Sequence, residues 1–435
     1  MSIPRYIGRL LCACLVLLAL AACGGTSALA PTEGPVASAP ARTVLILWHA
    51  WPQPEERALA AIVERYNRAT LGVQVVLQSR PSVNLRADLS SAVAAGGGPH
   101  LAIIPGHTLG GLAEAGSLLA VDGLVPEGEL ERLLPAAVGA AQVRSATGTT
   151  LYGVPLTFDT LALYYNKAYF TGDPPADTDE LLRVARGITD TGSDPPFWGL
   201  AYNLSLDRTI GYLYAFGGRV FDDSGAVALG LDGRTGAEAW LNWLLALRED
   251  ARILASLDGV AVDSALMTQQ AAMTVDWAHA VRSYSAIWPG SLGVAPLPRL
   301  AGSSNAPQPY VQSDVLVLNA RLGAQAEQPA AVAFARYLIS EPVQRELLRA
   351  GRQPVLLSLD LSEEDVAVPL DLRAAAQAFR AQAEDGLPMP NSRSAAEVVW
   401  PMLTDMQGSA LRRLLTPEQA VDGADAALRA RIAAP

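Results

Sequence analysis

Three stretches of the chain set aromatic rings beside hydrogen-bonding groups: Trp48 and Trp51 around His49, Trp277 between Asp276 and His279, and Trp400 late in the chain. An indole offers a flat apolar face, while a carboxylate or amide offers paired acceptors or a donor with an acceptor. Together they suit a polyol such as a sugar, whose flat apolar faces are rimmed by hydroxyls. Trp48, Trp51, Trp277 and Trp400 are therefore the expected platforms. Asp159, Asp276, Gln312 and Ser313, each in or beside an extended run, are the expected hydroxyl partners, and the two aspartates would equally take an amine.

Catalysis and metal binding have weaker grounds. The three cysteines, Cys12, Cys14 and Cys23, lie within the first 23 residues, so the folded part has no thiol nucleophile or thiolate site. There is no G-x-S-x-G elbow, no phosphate loop and no H-E-x-x-H. Asp159 with Asp276 could imitate a glycosidase pair, but the chain reads as a binder and not an enzyme. His49, His107 and His279 each follow an expected strand end, and three imidazoles around one crevice would make a metal site. No shared spacing ties them, and neither a metal nor a cofactor is expected.

The amino end reads as an export signal. Arg5 and Arg9 precede an apolar run from Leu10 to Ala22, shorter than a bilayer-spanning helix needs. Leu20, Ala21, Ala22 and Cys23 resemble a bacterial lipobox. Residues 1–22 are thus expected to be a lipoprotein signal peptide, and Cys23 the lipidated residue on the extracytoplasmic face of the membrane. Residues 23–42 have the Gly, Ser, Thr, Ala and Pro content of a flexible tether. A formal net charge of −11 and the lack of a basic stripe exclude a nucleic-acid partner.

These side chains must be held by something larger than one core: 435 residues, half of them hydrophobic, make two domains the natural expectation. Val44 to Leu47 reads as a buried strand. A helix follows with Pro54 in its first turn and Leu59, Ile62, Val63 and Tyr66 on one face. Val73 to Leu77 and Leu101 to Ile104 are further strands, with a short helix around Leu112 to Leu119, and this alternation predicts parallel strands covered by helices. Ligands of such sheets sit off the carboxyl ends of the strands, near Trp48, Trp51 and His107. From Leu151 the chain is extended and crosses to a second lobe, where Asp177 and Glu180 open a helix and Trp240, Trp243, Leu244 and Leu247 mark another. Tyr310 to Leu318 crosses back, and helices from Pro329 and Pro342 follow.

Leu151-Tyr-Gly-Val-Pro155, Leu163-Tyr-Tyr-Asn-Lys167, Ala271-Ala-Met273 with Trp277, and Phe334 through Gln344 with Gly351 and Pro354 occur in an order and spacing similar to one group. The chain resembles the family 1 extracellular solute-binding proteins, the maltose-binding-protein-like group serving ABC importers. It departs from them at Val311, Gln312 and Ser313, where many have Gly-Gly, and at Asp276, where many have Gly.

The resemblance implies a two-lobed type II periplasmic-binding-protein-like α/β fold, each lobe a mainly parallel sheet flanked by helices, joined by crossing hinge strands. The expected division is 43–154 with 314–356, and 155–313 with 357–435. It implies a monomer that captures a small solute, foremost a mono- or oligosaccharide, and hands it to a membrane permease. A polyamine, an iron species, a peptide or a sensor role on the same fold stand as alternatives. It further points to Tyr212, at a helix end directed to the cleft, and to Arg352, beyond the penultimate helix.

Overall fold

The computed structural model describes residues 42–145, 148–222, 225–231, 233–361 and 368–432. Residues 1–41, with Cys23 and nearly all of the expected signal segment and tether, lie outside them.

Ten strands organise the cores: β1 (Thr43–His49), β2 (Val73–Ser79), β3 (Leu101–Pro105), β4 (Gly153–Asp159), β5 (Leu161–Asn166), β6 (Met273–Trp277), β7 (Leu292–Ala295), β8 (Tyr310–Leu318), β9 (Gln353–Pro354) and β10 (Leu387–Pro388). The first sheet runs β9-β4-β8-β3-β1-β2, with β10 pairing β8. β1 lies parallel to β2 and to β3, as helical crossovers require. The crossover Glu55–Ala69 buries Leu59, Ile62, Val63 and Tyr66, one stripe at the spacing of a 3.6-residue turn. Its Glu55 and Glu56 sit in the first turn and Arg68 in the last, which suits the helix dipole. The helix expected around Leu112 to Leu119 instead spans Leu109–Glu114, because Gly116 turns the chain at φ +63°.

The second sheet runs β6-β5-β7, with both pairings antiparallel. The first sheet already turns antiparallel where β8 runs against β3 and β4, and β9 against β4, and in the second the departure from a parallel sheet has a topological reason. β6 and β7, linked through the helix Val281–Ile287, run the same way and receive β5 between them from the opposite direction. Leu161 to Tyr165 are buried throughout, as befits a central strand.

The buried side chains form two clusters, and the second sheet contributes to both. One gathers Leu45, Leu47, Ile104, Leu316 and Phe334; the other gathers Leu161, Leu163, Tyr202, Trp240 and Met406. The chain passes between them over a few residues, and β5 faces both, with Leu161 and Leu163 in the second and Ala162 and Tyr164 in the first. Phe158 belongs to the first cluster and Leu161 to the second; likewise Tyr310 belongs to the second and Val311 to the first. Thr160 sits at this crossing, its hydroxyl donating to the Tyr310 carbonyl at 3.4 Å and its own carbonyl accepting from Ala278 N–H at 2.9 Å. The helix Leu370–Glu384 packs Leu372 and Phe379 into the first cluster, while Gln382 accepts from Leu297 N–H at 2.6 Å.

Candidate functional site

A pocket of about 240 Å³ opens where β8 leaves the crossing, on the order of the smallest ligand sites. Tyr310 and Gln312 of β8, His107 after β3, and Asp207, Phe221, Met389 and Trp400 line it. Trp400 reaches it from an unusual helix start: Ala395–Val399 form a π-turn that leads into the helix Trp400–Leu411. Pro401 has no N–H to give to the carbonyl four residues earlier, and the wider turn absorbs that loss. Such turns mark functional places often enough to be informative.

Register shows which hinge residues share a face with Gln312. Gln312 stands directly opposite Asp159, Ser313 opposite Phe158 and Asp314 opposite Thr157. Side chains alternate along a strand, and opposed residues share a face. Gln312, Asp314, Thr157 and Asp159 therefore form one polar row. Ser313 points to the other face and is buried, its hydroxyl donating to the Thr157 carbonyl at 2.7 Å.

Asp314, which sequence reasoning passed over, gathers several groups. Trp51 Nε1 donates to its Oδ2 at 2.8 Å and Arg352 Nη1 at 2.5 Å. The Arg352 guanidinium also lies 4.8 Å from the centre of the Trp51 ring, a cation–π geometry. Arg352 is placed there by the end of the helix Glu341–Arg349: Gly351 takes φ +95°, its N–H donates to the Leu348 carbonyl, and Arg352 N–H donates to that of Leu347. That is a Schellman ending, for which glycine is the suited residue.

A parallel cluster stands on the second core. Asp207, in the first turn of the helix Leu206–Ala215, lines the pocket. Its Oδ2 accepts from Trp277 Nε1 and from Arg208 Nη1, each at 3.0 Å. Arg208 also pairs with Asp276 at 2.8 Å, and Tyr284 donates to Asp276 at 2.9 Å. Burial, then the Asp276 charge, pushes the Tyr284 phenol far above its ordinary value, so it remains a donor. Trp277 and Asp276 thus stand behind Asp207, buried, and Asp207 is the group offered to the pocket.

The remaining expected residues lie elsewhere. Tyr212 is buried among the second core, its hydroxyl donating to the Pro298 carbonyl at 3.0 Å and its ring against Trp243. Trp48 donates to Gln78 at 2.8 Å, with Arg80 over its ring. The histidines go separate ways. Burial lowers the pKa of His49 against the opposing Glu56, and lowers that of His107 against Asp314. Hydrogen bonding to Asp159 raises that of His279. No group of three His, Cys, Asp or Glu able to hold a metal exists among the described residues, and no helix among them is long and apolar enough to cross a membrane.

Asp207, Tyr310, Phe221 and Met389 were not singled out by sequence. A signal existed for Asp314 in the period of two from Gln312, and for Asp207 in the acidic first turn after the strand Ala201–Asn203.

Two cores joined by crossing strands, with a pocket at the crossing, define a two-lobed binding protein. Residues 61–370 match the bacterial extracellular solute-binding proteins, and the chain belongs to that family. It is 28% identical over 179 residues to the maltotriose-binding protein of Pyrococcus abyssi, a match covering 41% of this chain and 38% of that relative. The maltotriose-bound protein of Thermus thermophilus aligns at TM-score 0.69 and 25% identity, over 89% of this chain and 100% of that one. The maltotriose-bound maltose/maltodextrin-binding domain of Bdellovibrio bacteriovorus gives TM-score 0.70 at 24% identity, over 90% and 100%. A cyclo/maltodextrin-binding protein with maltotetraose gives 0.76 at 22%, over 91% and 99%. The fold is thus the type II periplasmic-binding fold expected from sequence, and these relatives are binding proteins rather than enzymes.

Proposed function

We propose that this protein binds a maltooligosaccharide-like sugar at the crossing and delivers it to the membrane subunits of an ABC importer. The observation that carries the reading is the pocket's division of labour. Trp400, Phe221 and Met389 give it an apolar wall, while Gln312 and Asp207 face it with hydrogen-bonding capacity to spare. A sugar presents the complementary pair of surfaces, an apolar ring face and a hydroxyl rim. The maltotriose-bound state of the Thermus thermophilus relative supports the same class of solute.

In this reading residues 43–154 with 314–356 form one lobe and 155–313 with 357–435 the other. Solute touching both favours the closed arrangement by its differential affinity, and the permease reads that arrangement. The protein acts as a monomer, anchored through a lipid on Cys23, with the tether holding it off the membrane.

A thermal-shift series with glucose, maltose, maltotriose and maltotetraose tests the central claim. Ligand that binds only the folded chain stabilises it by RT ln(1 + [L]/Kd), about 2.7 kcal/mol at a hundredfold excess over Kd. Maltotriose and maltotetraose should raise the melting temperature. A response to spermidine or ferric citrate, with silence across all sugars, would overturn the assignment. Fatty-acid labelling that persists unchanged in Cys23→Ala would remove the anchor.

A further inference from the structure

Both oxygens of the Asp159 carboxylate are spent on one residue. Oδ2 lies 2.6 Å from His279 Nδ1, and Oδ1 accepts the His279 backbone N–H at 3.1 Å. This two-point clasp fixes the ring and the turn that carries it, which begins directly after Trp277. The His279 side chain is 57% exposed against 26% for Asp159, and Asp159 is the strand partner of Gln312, which lines the pocket. We propose that His279, not Asp159, is the specificity-determining residue at this corner of the cleft, donating through Nε2–H to an acceptor oxygen of the solute, with Asp159 as its positioning residue.

The assignment rests on the sugar reading for the class of solute, and on the clasp for everything else. With Nδ1–H given to Asp159, the neutral ring has only a lone pair at Nε2; the imidazolium has a second donor there. A donor on a charged group binds a glycosidic or hydroxyl oxygen more strongly than a neutral one. The charged groups that act on the ring are Asp159 on β4, in direct contact, and at longer range Asp276 on β6 and Arg352 beyond the helix Glu341–Arg349. Asp159 favours the imidazolium most, burial opposes it, Asp276 favours it and Arg352 opposes it, with a net upward shift.

Calorimetric titration of the purified protein with maltotriose between pH 5.5 and 8.5 provides the test, using wild type, His279→Gln and Asp159→Asn. Wild-type affinity should fall about tenfold as pH rises through the His279 titration, the equivalent of about 1.4 kcal/mol. His279→Gln should bind with a flat profile near the wild-type alkaline limit. Asp159→Asn should keep the inflection but move it to lower pH, because the group that raises it is gone. A flat wild-type profile, or an inflection that survives in His279→Gln, overturns the proposal. So does Asp159→Asn weakening binding equally at every pH, which would make Asp159 itself the contact. Wild type that binds maltotriose with no pH dependence refutes only this assignment; wild type that binds no maltooligosaccharide at any pH refutes the sugar reading, and the assignment falls with it.

Discussion

Trp277→Phe separates a platform from a support. The indole is only 6% exposed, and its Nε1 donates to Asp207 Oδ2 at 3.0 Å. Phenylalanine keeps most of the apolar contact and removes the donor. A hydrogen bond to a charged acceptor contributes about 1.5–3 kcal/mol net. The lower end applies here, since the Asp207 side chain is 34% exposed and retains Arg208. Adding a small packing loss for the missing ring, the variant should lose about 2 kcal/mol in urea unfolding. The decisive measurement is the double-mutant cycle with Asp207→Asn. If the indole acts on the carboxylate, the two losses should fall short of additivity by about 1 kcal/mol. Maltotriose affinity should drop about fivefold in Trp277→Phe and no further when Asp207 is already Asn. Additive stability losses, or a drop in affinity of the same size in both backgrounds, would mean that Trp277 touches solute directly and that the support reading is wrong.

Other perturbations probe the frame. Trp240→Ala, at a fully buried ring that donates to the Thr209 carbonyl at 3.1 Å, should cost about 3–5 kcal/mol in denaturant unfolding. Gly351→Ala forces a side chain onto φ +95° with its Cβ 2.6 Å from Arg282; the backbone cost alone is about 1–2 kcal/mol, and the displaced Arg352 should weaken maltotriose binding. The stability of the unliganded protein should also follow His279. Contact with Asp159 raises its pKa above the ordinary 6.5, so the stabilisation is complete below that value and is lost as pH rises through the raised one. Melting temperatures of wild type and His279→Gln should therefore differ at pH 6 and converge at pH 8.5.

The alternation of strand and helix and the apolar stripe of Glu55–Ala69 were legible because a local period writes each of them, whereas the apolar run Val44 to Leu47 suggests a fully buried strand and the structure leaves Val44 44% exposed at its start. Asp177 was legible too: its carboxylate accepts from Glu180 N–H at 2.8 Å, and Glu180 reaches back to Ala176 N–H at 3.1 Å. The site was harder because its members are far apart in the chain. Trp51 meets a residue 263 positions away, and nothing local to Trp51 names Asp314 as the partner. Tyr212 illustrates the converse difficulty. A tyrosine near a helix end suits a cleft as well as a core, and only the Pro298 carbonyl above it decides between them.

The two cores repeat one arrangement that no linear motif would reveal. On the first, Trp51 and Arg352 both donate to Oδ2 of Asp314; on the second, Trp277 and Arg208 both donate to Oδ2 of Asp207. In each case the indole spends its polar edge on an aspartate, and the arginine offsets the charge that burial would otherwise penalise. No protein donor reaches Oδ1 of either carboxylate among the described residues, so each keeps an acceptor in hand. The tryptophans that invite a stacking reading from sequence are, at two of the four positions, the means by which a carboxylate from each core is held steady. Orientation of that kind matters more for a hydroxyl-rich solute than an additional ring, because a fixed acceptor loses no side-chain entropy when the solute arrives.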